Sequence, residues 1–259
     1  MGVLNVTPDS FSDGGRYVDP VSAAAHAMDM VAQGAAIVDV GGESTRPGAR
    51  PIGEQEELDR ILPVLERLEG LAAPVSVDTR RPRVMRAALE TGASMINDVD
   101  ALAAEGALEA LASSGAAVCL MHKRGEPGSM QDAPRYTDVV EEVRAFLASR
   151  IAAARAAGIA AARIAVDPGF GFGKNLAHNL ALLRGLPRFG DLGVALLAGV
   201  SRKSMLERIT GRPVGERLAA SIAAALLAVQ GGARILRVHD VAETRDALAV
   251  WSAVQEARR

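Results

Sequence analysis

Residues able to do chemistry recur along this chain at regular intervals, each group directly after a short apolar run. In order they are Asn5 with Thr7 to Phe11, Asp39 with Gly41 to Gly48, Asp78-Thr79, Asn97-Asp98, Met121-His122, Asp167-Pro168-Gly169, Ser201-Arg202-Lys203-Ser204 and Arg237-Val238-His239-Asp240. Two chemistries stand out. Ser201, Lys203, Ser204, Arg237 and His239, with Arg46 in a Gly/Pro-rich loop, supply the cations and donors that a phosphate group needs. Asp78, Asn97 and Asp167 form an acidic and amide set. Buried carboxylates must be paired, metal-bound or hydrogen-bonded, and adjacent N–H donors on a heterocycle, such as an amino-pyrimidinone edge, would satisfy them. Taken singly, each residue has a plainer reading. An Asp or Asn here also caps a helix, Arg202 and Lys203 also fit a solvated helix start, and a carboxylate also pairs with arginine.

These groups need a scaffold that delivers them to one end. The apolar runs predict strands over Val3–Val6, Ile37–Val40, Val75–Asp78, Met95–Asp98, Ala117–Met121, Ile164–Asp167, Val194–Val200 and Ile235–Val238. Between them lie one-sided apolar stripes: Leu58, Ile61, Leu62, Leu65 and Leu68; Val139, Val143, Leu147 and Ile151; Leu218, Ile222, Leu226 and Val229. Strands that read as continuous apolar runs are covered on both faces, as in parallel sheets. Eight such units in 259 residues predict an α/β fold, a single-domain (β/α)8 TIM barrel over residues 1–259, with chemistry at the strand ends and a phosphate seat after strands seven and eight.

Composition narrows the function classes. At 49% hydrophobic and 23% charged residues the chain can build a sizeable core, and 29 basic against 31 acidic residues exclude a broad basic surface for nucleic acid or anionic membrane. The charge-free apolar stretch Leu218–Val229 is shorter than the ~20 residues a membrane-spanning helix needs. The single Cys119, placed mid-strand, fits a core position and, with no charged leader, a cytoplasmic protein. Gly169 to Asn175 imitates a nucleotide loop, but Pro168 stands where that motif needs its first glycine and Asn175 where it needs Ser or Thr.

The segments Leu4 to Gly15, Asp39 to Gly48, Ser76 to Thr79, Ile96 to Asp98, Leu120 to His122, Asp167 to Lys174, Ser201 to Ser204 and Arg237 to Asp240 together resemble the dihydropteroate synthase family of folate biosynthesis, end to end. The resemblance implies condensation of 6-hydroxymethyl-7,8-dihydropterin diphosphate with p-aminobenzoate to give 7,8-dihydropteroate and diphosphate, with Mg2+ assisting, in a homodimeric sulfonamide target. By position it assigns the pterin to Asp78, Asn97, Met121, Asp167, Lys203 and Arg237, and diphosphate to Thr45, Arg46, Arg237 and His239. It gives p-aminobenzoate to Phe11, Pro47, Phe172 and Ser204, and Mg2+ to Asn5. Lys203, Arg237, His239 and Arg46 carry the catalytic roles, and the loops Thr7–Tyr17 and Ser44–Gly53 are expected to close over the site.

The chain departs from the family pattern in places. Asp100 stands where a small hydroxyl or basic residue is usual and Lys123 where Met is common, and the family usually carries a further segment, commonly a hairpin, ahead of the opening motif. Two other readings compete. A corrinoid-linked pterin-binding methyltransferase would lack the anion set, and a non-catalytic paralogue should have lost some of Asn5, Arg46, Lys203 or His239.

The chain also uses only three lysines (Lys123, Lys174, Lys203) and four asparagines (Asn5, Asn97, Asn175, Asn179). Where arginine is otherwise the chosen cation, Lys203 stands out as a place for a slim ammonium rather than a planar guanidinium. Lys203→Arg is therefore expected to lower turnover far more than an Arg→Lys change on the surface; equal effects in a steady-state assay would refute this.

Overall fold

The computed structural model describes residues 1–7, 19–44, 51–125, 130 and 133–257. Eight parallel strands follow one another in sequence order: β1 Gly2–Asn5, β2 Val38–Gly41, β3 Val75–Asp78, β4 Met95–Asp98, β5 Ala117–Met121, β6 Ile164–Asp167, β7 Ala195–Ala198 and β8 Ile235–Leu236. The ring closes through a parallel bridge from Gly2 to Val238, with Val3 N donating to Val238 O and Val238 N to Met1 O. Helices alternate with the strands: α1 Pro20–Ala32, α2 Glu54–Arg67, α3 Pro82–Glu90, α4 Ala107–Ala112, α5 Val139–Ala156, α6 Leu176–Gly185, α7 Ser204–Thr210, α8 Leu218–Gln230 and α9 Val241–Glu256. This is the expected α/β barrel. The expected strands over Val3–Val6, Ile37–Val40, Val194–Val200 and Ile235–Val238 are each displaced or shortened. For β8 the cause is local: Arg237 N still bonds Ala198 O, but the regular ladder has ended as the chain turns into the barrel mouth.

The period of two along each strand divides the residues. One set (Leu4, Val38, Val40, Val77, Ile96, Val118, Leu120, Val166, Leu196) is buried against the helices. The alternate set points into the barrel, where Met95, Cys119, Ala165 and Leu197 pack together as an apolar plug. Two residues further along the same strands stand Asn97, Met121, Asp167 and Gly199, all lining one cavity. The plug thus closes the barrel beneath the polar residues.

The helix stripes on α2 and α5 are buried as expected, with Leu58, Ile61 and Leu65 in one and Val139, Val143, Leu147 and Ile151 in the other. On α8 the expectation fails. Its core face is Ser221, Ala224, Ala225 and Ala228, while Leu218 is 37% exposed. Small side chains let this helix approach the barrel closely, and its larger aliphatics are displaced to the flank.

After β4 the chain makes a strained turn, with Ala101 and Leu102 both left-handed at φ 54° and 57°. Such conformations persist only when surroundings enforce them. From inside, the Asp98 carboxylate accepts from Asp100 N and Leu102 N at 2.7 Å each; from outside, Arg150 of α5 donates to Ala101 O and Leu102 O at 2.8 Å each. Arg150→Ala is expected to lower stability by about 2 kcal/mol or more, since it removes two charge-assisted bonds from a strained turn. The urea midpoint measures it, and an unchanged midpoint would show that Asp98 holds the turn alone.

Candidate functional site

At the C-terminal mouth of the barrel lies a cavity of about 420 Å3. Asn5, Asp78, Asn97, Met121, Asp167, Phe172, Lys203, Ser204, Arg237 and His239 all line it, so every expected site residue within the described part of the chain converges there. Phe11, Thr45, Arg46 and Pro47 lie outside the described residues, as does most of the two loops expected to close over the site.

At the floor, the guanidinium of Arg237 donates from Nε to Asp39 Oδ2 at 2.6 Å and from Nη2 to Asp78 Oδ2 at 2.9 Å. Asn97 Nδ2 donates to the same Asp39 oxygen at 3.1 Å. Asp39, fully buried, therefore ties β2, β4 and β8 together, although sequence reasoning gave it no role. The signal was present: a carboxylate between Val38 and Val40 points to the opposite side from its apolar neighbours. The second oxygen of Asp39, Oδ1, is buried without a protein partner.

Electrostatics follow from this crowding. Burial pushes the Asp78 carboxyl up to about 7, with Arg237 opposing and Asp39 reinforcing the shift. Burial likewise raises Asp167, against a backbone bond from Gly169 and the charges of Lys203, Lys174 and Arg237. Arg237 is held charged: burial acts against it, but Asp39 and Asp78 outweigh burial. One guanidinium thus sits among carboxylates that outnumber it, which suits a ligand bringing further N–H donors.

The other wall is built from the loops after β7 and β8. Arg202 adopts a left-handed φ of 56°, and four contacts hold it there. Its side chain forks onto Asp240 (Nε to Oδ2, 3.1 Å; Nη2 to Oδ1, 2.5 Å), its N donates to Ser221 Oγ at 2.9 Å, and its O accepts from Arg217 at 2.9 Å. Arg202 is therefore a structural clamp, not a solvated helix start. Ser201, Lys203 and Ser204 line the cavity, together with Arg202 itself. Ser201 Oγ lies 3.0 Å from His239 Nδ1, which joins the two loops. Lys203 Nζ stands 4.4 Å from the centroid of the Phe172 ring.

A third element is an ionic rim. Glu43, also lining the cavity, accepts from Arg81 (2.8 and 3.0 Å), Arg80 (3.3 Å) and Ile52 N (3.3 Å). The two departures noted in the sequence meet here as a pair: Lys123 Nζ lies 2.7 Å from Asp100 Oδ1, with Arg80 3.8 Å from the other oxygen. His122, although at a strand end, does not line the cavity; its ring nitrogen faces Lys174 instead.

Comparison with known proteins decides the family. The model of the pterin binding enzymes matches residues 1–239, and dihydropteroate synthase of Escherichia coli strain K12 is 49% identical over 259 residues, spanning 100% of this chain and 92% of that protein. The chain belongs to the dihydropteroate synthase family. Among solved members, the Xanthomonas albilineans enzyme with 4-aminobenzoic acid has a TM-score of 0.92 at 55% identity, covering 98% of this chain and 92% of that one. The Burkholderia cenocepacia dihydropteroate synthase complexed with 7,8-dihydropteroate has a TM-score of 0.90 at 49% identity, covering 100% and 92%.

The raised carboxyl of Asp78 has a measurable consequence. Its folded-state value near 7 lies above the ordinary 3.8, so its contribution to stability is full below about pH 4 and is lost as pH rises through 7. Asp78→Asn removes that dependence, and the variant should gain on the parent chain between about pH 5 and pH 8 in urea unfolding. A stability difference that does not change with pH would show that Asp78 is ionised throughout.

Proposed function

We propose that this chain is a working dihydropteroate synthase, joining p-aminobenzoate to the methylene carbon of 6-hydroxymethyl-7,8-dihydropterin diphosphate with release of diphosphate. What supports the reading most is the convergence of two chemically distinct sets on one cavity: Asp78, Asn97 and Asp167 on one side, and Ser201, Lys203, Arg237 and His239 on the other. The carboxylates and the amide take the N–H edge of the pterin, with Met121 beneath and Lys203 and Arg237 beside the ring. Diphosphate lies toward Arg237 and His239, joined by Thr45 and Arg46. p-Aminobenzoate stands between Phe172 and Ser204, with Phe11 and Pro47 completing its pocket and Ser204 meeting its carboxylate.

An aromatic amine is already neutral near pH 7, so the nucleophile needs no strong base; the departing diphosphate is what must be stabilised. The methylene carbon–oxygen bond breaks first, the electron pair leaves with diphosphate, and the pterin methylene becomes cationic before the amine nitrogen attacks and loses a proton. Lys203, Arg237, His239 and Arg46 hold the charge of the leaving group. Mg2+ would be held through Asn5, which offers a hard amide oxygen at the cavity. Such a site suits an ion that keeps most of its coordination for water and substrate phosphate, and when bound it would supply positive charge to the diphosphate oxygens.

A methyltransferase reading is disfavoured because the anion set is present at the cavity. No helix among the described residues is long and apolar enough to cross a membrane; a cytoplasmic location is part of the proposal. Leu227 on α8 and Val250 and Val254 on α9, each at least half exposed, supply apolar surface for a homodimer contact.

Diphosphate release that requires both p-aminobenzoate and Mg2+ is the expected result; no release with both substrates at saturation would overturn the reading. Deuterium at the reacting methylene should give a secondary isotope effect clearly above unity, and a value near unity would replace the stepwise ionisation with a concerted displacement.

A further inference from the structure

The loop Gly169 to Lys174, itself outside every strand and helix, carries Phe172 to the cavity. What shapes it is a buried ammonium. Lys174 is 2% exposed, and its Nζ donates to Gly169 O at 2.9 Å, Phe172 O at 3.0 Å and His122 O at 3.2 Å, with His122 Nδ1 at 3.0 Å. A lysine ammonium has three donors and no acceptor, so it suits a point where backbone carbonyls converge. His122 Nδ1 is a fourth neighbour, so three N–H donors are shared among four sites, and the imidazole is kept neutral: burial, then the charge of Lys174, pulls it down to about 3.

The backbone is wound around this ammonium. Gly169 and Gly173 are left-handed, and a Cβ on either would lie 1.9 Å from His122 O or 2.2 Å from Arg124 O. Asn179 fastens the loop from α6, accepting from Gly171 N at 2.8 Å and donating to Lys174 O at 3.1 Å, while Tyr136 donates to Gly173 O at 3.0 Å. Lys174 does not itself line the cavity. Its hold on the Phe172 carbonyl nevertheless reaches the cavity, because the Phe172 ring lies against Lys203.

We propose that Lys174 is a positioning residue for the p-aminobenzoate side of the site, its ammonium gathering the carbonyls of Gly169, Phe172 and His122 so that the Phe172 ring is held against Lys203. The inference rests on the reading of the cavity given above. It separates two substrates that share one cavity: the pterin side is built from strands β3, β4 and β6, whereas the amine side depends on this caged loop. The charged and titratable groups around Lys174 are His122 and Arg124 after β5, Asp167 at the end of β6, Lys203 before α7, and Tyr136, Glu142 of α5 and His178 of α6 nearby. Burial pulls the ammonium down to about 7, and Asp167 opposes that shift. Above that pH the lysine loses one donor, and the carbonyl cage loses a partner.

The test is a comparison of KM values for the two substrates in the parent chain, Lys174→Met, Phe172→Ala and the double variant. Lys174→Met is expected to raise KM for p-aminobenzoate by about tenfold with less than about a twofold change for the pterin diphosphate, and Phe172→Ala should add little further in its background. Equal changes in both KM values, or fully additive effects of the two substitutions, would overturn the inference and leave Lys174 a stability residue. Should Lys174→Met fail to fold, Lys174→Gln, which keeps two N–H donors in the cage, decides: KM for p-aminobenzoate should still rise several-fold with less than about a twofold change for the pterin diphosphate, and an unchanged p-aminobenzoate KM overturns the proposal. A parent chain that releases no diphosphate at all would instead count against the functional reading itself.

Discussion

The contact on which the site depends is the guanidinium of Arg237 held between Asp39 and Asp78. A closed barrel of eight short strands points polar groups from every side at a space a few ångströms wide, and carboxylates gathered in that way repel one another and resist desolvation. One permanent cation makes the arrangement tenable. Because guanidinium stays ionised under all ordinary conditions, it allows Asp39 to remain at 0% exposure and Asn97 to be oriented by it. The compensation is incomplete, since Asp78 and Asp167 are still pushed upward. Breaking a buried pair leaves an uncompensated charge and is typically costlier than the pair is worth, so the floor behaves as a unit rather than as independent ligands.

Around this floor the loops are shaped by cationic clamps; Arg150, Arg81 and Lys174 stand behind the cavity wall, while Arg202 also lines the cavity. Arg202 forks onto Asp240, Arg150 holds the carbonyls of Ala101 and Leu102, Arg81 ties Glu43 to the carbonyl of Ile52, and Lys174 gathers three carbonyls. In each case a cation binds backbone carbonyls or a carboxylate of its own loop or of a neighbouring one. Left-handed residues at 101, 102 and 202 are tolerated because these clamps over-determine them. A rigid barrel with conformationally costly, externally fastened loops places side chains more closely than relaxed loops could.

The barrel was legible in the sequence because its strands are buried on both faces and read as apolar runs, and because each run ended in polar residues. The site was legible for a related reason: Asp78, Asn97, Asp167, Lys203 and Arg237 all sit at those endings. What escaped were features that depend on neighbours distant in sequence. Asp39 lies 198 residues from Arg237, and although its alternation with Val38 and Val40 turns it to the barrel interior, nothing local names its partner. The α8 stripe misled because hydrophobicity alone favours Leu218 and Leu226 over Ala224 and Ala228, whereas the space against the barrel admits only small side chains. A solvated helix start stayed open as an alternative for Arg202 because its partner Asp240 belongs to the next strand's loop.

The scarcity of lysine and asparagine gains a physical account from these contacts. Asn5 and Asn97 line the cavity, Asn175 caps α6 by accepting from His178 N, and Asn179 bonds both Gly171 and Lys174. Asn5 and Asn97 put an amide where a carboxylate would add charge to a crowded acidic site, and Asn179 uses donor and acceptor together, while Asn175 acts only as a cap acceptor. Lys123 pairs with Asp100, Lys203 stands over an aromatic ring, and Lys174 fills a cage at 2% exposure. The cage and the ring contact both call for a compact cation with donors in several directions, which the planar fork of arginine cannot provide. A chain that otherwise uses arginine thus has lysine at two positions that meet Phe172, Lys203 lining the cavity against its ring and Lys174 behind the wall on its backbone carbonyl.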